Sequence, residues 1–98
     1  MTRTQLRRLS LQREIIRSQA RVARLAEEGA VLRASFDQAD LRMLIAETPL
    51  ADRDRATALA RLRGAERELA RLKGNLRHLE REWAGLGPGA ETVPGPRP

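Results

Sequence analysis

Apolar residues recur in steps of three and four along almost the whole chain. In the first half the series is Leu11, Ile15, Ser18, Val22, Leu25, Gly29, Leu32, Phe36, Ala39, Met43 and Ala46. In the second half it is Ala58, Leu62, Ala65, Leu69, Leu72, Leu76, Leu79, Trp83 and Leu86. A 3–4 alternation sustained over more than four heptads predicts long helices that pack as a coiled coil. Ser18 and Gly29 take core slots in the first series, and small side chains there either let the helices approach or leave room between them.

Punctuation falls near the middle, at Glu47-Thr48-Pro49-Leu50-Ala51-Asp52. Pro49 cannot continue a helix and disfavours helical geometry at Thr48. Thr48 followed by Pro49 reads as an N-cap with proline at the first helical position. Asp52 and Asp54 follow in the first turn, where the helix dipole favours acids. The expectation is an all-α fold: an antiparallel two-helix coiled-coil hairpin over residues 1–86, with dimerisation into a helical bundle left open. The helices are placed at about 4–47 and about 50–85, with the corner at 48–49. At about 1.5 Å per residue they span roughly 65 Å and 53 Å, and so short a connection makes them antiparallel neighbours. Trp83 is read as a core knob plugging the open end, with Gly85 as the helix stop. Residues 87–98, rich in Gly and Pro, are expected to be a disordered tail. Leu6, Leu9 and Ile16 fall off the main seam, as does Leu59. This second apolar stripe points to a partner, either another copy or a different protein.

Composition narrows the function classes. The 98 residues include one Phe, one Trp, no Tyr and no Cys. Without cysteine there is no disulfide framework and no thiolate metal site. His78, the one histidine, leaves too few nitrogen ligands for zinc and is the only candidate base for a hydrolytic triad. A non-enzymatic chain is therefore expected, with no required cofactor and no metal. The Trp83-Ala84-Gly85 motif also occurs in secreted WXG hairpins, but there it marks the corner, and here it ends the second helix. No apolar run approaches the roughly 20 residues that span a bilayer. The basic N-terminus has no apolar segment after it to make a signal peptide, so a cytoplasmic location is expected.

The net charge of +6, carried by 18 Arg and one Lys against 13 acids, is unevenly spread. Residues 1–25 balance to +6, residues 26–54 to −4, residues 55–86 to +4, and the tail to zero. A fold at Pro49 sets each residue i roughly opposite residue 98 − i. The open end then becomes strongly basic, with Arg17 and Arg21 facing Arg81 and Arg77. Facing guanidinium groups repel unless an anion or acidic partner intervenes, and their forks suit phosphate and carboxylate.

A weak internal repeat aligns residues 6–21 with residues 66–81. Both copies have Arg at the second position, Leu at the fourth, a base at the eighth, and Arg at the twelfth and sixteenth. The stretch Arg7-Arg8-Leu9-Ser10-Leu11-Gln12-Arg13 resembles that of RsiG-type anti-sigma factors of actinobacteria, antiparallel hairpins with a copy of E-x3-S-x2-R-x3-Q-x3-D on each helix. The resemblance implies a transcription regulator that sequesters a WhiG-type sigma factor and responds to cyclic di-GMP. Carried over by position, the first copy keeps Ser10 and Arg13, with Leu6, Arg17 and Arg21 for Glu, Gln and Asp. The second keeps Glu66, with Ala70, Lys73, Arg77 and Arg81 for Ser, Arg, Gln and Asp. The implied ligand-binding set, for nucleotide phosphate or an acidic partner, is Ser10, Arg13, Arg17, Arg21, Glu66, Lys73, Arg77 and Arg81. Arg only donates hydrogen bonds, so Arg in place of both Asp weakens guanine recognition while strengthening phosphate attraction. A structural, dimerising coiled coil without ligand is the alternative. A nonspecific nucleic-acid binder is weaker, because neither a DNA-binding module nor an aromatic stacking platform is present. The Arg-interrupted Leu/Ala stripes suit helix partners better than lipid.

Overall fold

The computed structural model describes residues 2–87 and 93–94. Two helices, α1 (Arg3–Ala46) and α2 (Pro49–Ala84), form an antiparallel helical hairpin, and no strand occurs among the described residues. Local chemistry sets each end. Thr2 and Gln5 form a reciprocal capping box: Gln5 N–H donates to Thr2 Oγ1 at 3.1 Å, and Thr2 N–H donates to Gln5 Oε1 at 2.8 Å, which satisfies two otherwise orphaned donors. At the corner, Glu47 adopts a left-handed conformation (φ 47°) and its N–H donates to the Met43 carbonyl at 3.0 Å. This is the αL helix ending, usually occupied by glycine. Thr48 caps α2 as expected, its Oγ1 accepting from Ala51 N–H at 3.1 Å, with Pro49 as the first helical residue. Gly85 N–H closes the last turn of α2 on the Arg81 carbonyl at 3.1 Å, and Gly87 adopts the left-handed region at φ 87°.

The chain forms two compact units, each taking a segment of both helices. The terminal unit comprises Met1–Ala23 with Arg71–Pro98, and the corner unit comprises Arg24–Ala70. In the terminal unit, Leu11 and Ile15 are fully buried against Trp83, with Leu76, Leu79 and Leu86 packed around them. Trp83 is thus the core knob expected of it. Arg7 forms an ion pair with Glu82. Gln19 Nε2 donates to the Pro94 carbonyl at 2.6 Å; of the expected disordered tail, residues 88–92 and 95–98 lie outside the described residues.

In the corner unit, Ala39 and Leu62 are buried. Arg55 Nε donates to Asp40 Oδ1 at 2.6 Å, and its guanidinium lies 5.3 Å from the Phe36 ring centre. One cation thus ties an acid and a π-face of α1 to α2. Gly29 takes its half-buried slot without close approach: a Cβ built there meets nothing within 4 Å.

The pairing register differs from a fold at Pro49. That fold sets Asp40 opposite residue 58, yet its partner is Arg55. It sets Leu11 opposite residue 87, yet Leu11 packs with Trp83. In the corner unit the reason is local: α1 ends at Ala46 and the chain reverses through Glu47 and Thr48, before Pro49. In the terminal unit the large Trp83 side chain fixes the match to Leu11 and Ile15.

Three outcomes follow for thermal unfolding monitored by circular dichroism. Glu47→Gly should stabilise the chain by about 1 kcal/mol, because glycine pays no Cβ penalty in the left-handed region, and Thr48→Ala should cost about 1 kcal/mol by leaving the α2 N-terminus uncapped. Gly29→Ala should stabilise by roughly 0.5–1 kcal/mol, because alanine is the better helix former and the space beside it is open; a fall in stability would show that the helices close on that position.

Candidate functional site

The basic stripe of α1 in the terminal unit arises from spacing. Ser10, Arg13, Arg17 and Arg21 are three or four residues apart and share one side of the helix, and all four are exposed. Ser18, one residue past Arg17, is buried in the seam, and its small side chain leaves space that a leucine would fill. A groove of about 380 Å³ opens there, lined by Glu14, Arg17, Ser18 and Arg21 of α1 and by Asn75 and His78 of α2, with Leu72 and Leu79 supplying apolar wall.

The groove places one carboxylate beside two guanidinium groups. Arg17 Nε reaches back to the Arg13 carbonyl in a long contact of 3.4 Å. His78 Nε2 lies 3.1 Å from Glu82 Oε1, while the other carboxylate oxygen of Glu82 pairs with Arg7. Glu82 therefore links the rim of the groove to the start of α1. Arg17 and Arg21 can fork onto a phosphate or carboxylate, and Glu14 and Asn75 add an acceptor and an amide. No group of three or more His, Cys, Asp or Glu side chains suited to a metal ion occurs among the described residues.

The eight residues expected to act together are separated. Only Arg17 and Arg21 line this groove. Ser10 and Arg13 are exposed on α1. Lys73 and Arg77 are also exposed, each two residues from Asn75, which turns them to nearly the opposite side of α2. Arg81 continues that side one turn later. The expected cluster of Arg17 and Arg21 facing Arg81 and Arg77 is not formed: the α2 residues that line the groove with Arg17 and Arg21 are Leu72, Asn75, His78 and Leu79, and helical geometry turns Arg77 and Arg81 to the other side of α2. Glu66 belongs to the corner unit, where it lines a groove of about 360 Å³ with Gly29 and Arg33.

Glu14, Asn75 and His78 were not singled out as site residues by sequence. Their signal was positional: Glu14 precedes Ser18 by one turn, and Asn75 and His78 flank the Leu76–Leu79 seam. The off-seam residues Leu6, Leu9 and Ile16 are exposed, on the side of α1 away from Leu11 and Ile15, whereas Leu59 is half-buried and does not belong to a bare stripe. More exposed apolar side chains appear in the corner unit, at Val31, Leu41, Leu44, Ile45 and Leu50. No helix among the described residues is long and apolar enough to cross a membrane.

Comparison with family models, curated proteins and solved structures finds no match to the chain.

Proposed function

We propose that the chain is a protein-binding regulatory hairpin whose terminal unit takes up an acidic, amphipathic helix of a partner protein. The observation that carries this reading is the exposed stripe of Leu6, Leu9 and Ile16, with Arg13 set within it and Ser10, Arg17 and Arg21 along one flank. A stripe of this kind offers an apolar strip to a helix and guanidinium forks to the carboxylates beside it. The resemblance to RsiG-type hairpins makes a WhiG-type sigma factor the first partner to try. Lys73, Arg77 and Arg81 form a second basic side on α2 that a wrapping partner would meet.

Cyclic di-GMP is a second reading, favoured by one feature: Glu14 shares the groove with Arg17 and Arg21. A carboxylate accepts from the Watson–Crick donors of guanine while the guanidinium groups hold phosphate. Isothermal titration with cyclic di-GMP separates this from the protein-binding reading. Binding that is lost in Glu14→Gln supports it, and the absence of heat and of any thermal shift removes the nucleotide.

The protein-binding reading is tested by retention of the host's sigma factors on the immobilised full chain. We expect one to be retained, and the Arg13→Ala/Arg17→Ala/Arg21→Ala variant to bind it at least about thirtyfold more weakly, the loss of roughly 2 kcal/mol typical of interface hot spots. If no sigma factor is retained and the chain instead binds duplex DNA with a steep salt dependence, the basic face is a phosphate-backbone surface and the reading fails.

A further inference from the structure

In the corner unit, α1 turns Leu32, Phe36, Ala39 and Met43 inward. The opposite face of the same helix is also apolar. Val31, Ala34, Gln38, Leu41 and Ile45 follow steps of three and four, and all are exposed. Val31 is 66% exposed, Leu41 57% and Ile45 77%, and Leu44 beside them is 70% exposed. Scattered exposed apolar residues are ordinary. A stripe of them at heptad spacing, opposite a face already used, is the pattern of a second coiled-coil seam.

The residues on that seam specify its occupant. Val31, Gln38 and Ile45 take the a positions, and Ala34 and Leu41 take d. Branched residues at a with leucine at d favour two parallel strands, and a single polar a residue fixes register. Asp37 then falls at g and Arg42 at e. In a parallel pair, g of one strand meets the e position five residues later on the other, so Asp37 of each copy meets Arg42 of the other. Antiparallel pairing centred on Gln38 would instead put g beside g, bringing the two Asp37 side chains to the same side of the seam within about one turn of each other. Asp37 and Arg42 form no ion pair within the chain among the described residues. Upstream, Glu27 and Arg24 occupy the next d and a positions, and their charges end the seam.

We propose that residues 31–45 of α1 are the interface through which two copies of this chain pair as a parallel two-stranded coiled coil. Two heptads are few for an isolated peptide, whose helix must form as it binds. Here the helix is already held by α2, so association does not pay that ordering cost. The proposal is independent of the partner reading, which rests on the terminal unit.

Sedimentation equilibrium of the full chain across micromolar concentrations tests it, with single cysteines as geometric probes because the chain has none of its own. The wild type should form a dimer. Leu41→Glu should weaken dimerisation at least about tenfold while leaving the hairpin's circular dichroism unchanged, since Leu41 faces solvent in the single chain. Asp37→Arg should also weaken it, and Asp37→Arg with Arg42→Asp should restore it. Val31→Cys should cross-link to itself on mild oxidation. A chain that stays monomeric at every concentration overturns the proposal. So does a dimer that ignores both Leu41→Glu and the charge swap, or one in which Val31→Cys cross-links to Ile45→Cys but not to itself.

Discussion

Two helices that meet along one line can bury only one stripe of each, and every other feature of this chain follows from that limit. Within each unit the buried set is small: Leu11, Ile15, Ser18 and Trp83 in one, Ala39 and Leu62 in the other. The corner unit adds Arg55, which spends its charge on Asp40 and its flat face on Phe36. A core this narrow leaves stability to its ends and seams. Capping at Thr2, Thr48 and Gly85, each a local contribution of about 1 kcal/mol or less, therefore carries more weight than it would in a thicker domain.

Much of this was legible in the sequence because helix formation and helix ending are local. The 3–4 spacing located both helices, and Thr48-Pro49 located the start of α2 to within a residue. Trp83 was legible as a knob because it continues the Leu72–Leu76–Leu79 series. The capping box at Thr2 and Gln5 was equally local, a T-x-x-Q signature, and moves the start of α1 ahead of the position that apolar spacing alone suggested. Glu47 was not legible: a left-handed glutamate is chosen by the reversal of the chain, and nothing in its own side chain favours it.

Register was the part that spacing left open. A heptad seam matches equally well when one helix slides by a turn along the other, so the pattern constrains which faces meet and not which residues. The choice comes from shape and pairing: Trp83 seated on Leu11 and Ile15, and Asp40 held by Arg55. A shift of about one turn changes which residues stand level across the hairpin and leaves the fold as it is. It moves Arg17 from the level of Arg81 to that of Arg77, and Arg21 from the level of Arg77 to that of Lys73; the side of α2 that these bases occupy, and not the register, keeps them out of the groove with Glu14, Asn75 and His78. The family resemblance implies one ligand-binding set drawn from both helices. Helical geometry instead sends Lys73 and Arg77 to the side of α2 away from Asn75.

The same one-stripe limit explains why surface, more than any cavity, carries the functional argument. A helix that needed only to pair with α2 would be polar over its remaining circumference. α1 is not. In the terminal unit its outer face holds Leu6, Leu9 and Ile16 among arginines; in the corner unit it holds Val31, Leu41 and Ile45 flanked by one acid and one base. The two stretches differ in charge chemistry. The first is basic, and so complements something acidic. The second carries Asp37 and Arg42 at positions that complement each other, and so complements itself. A net charge of +6 hides this contrast, because the acids that offset the arginines are concentrated in residues 26–54, where self-pairing needs both signs.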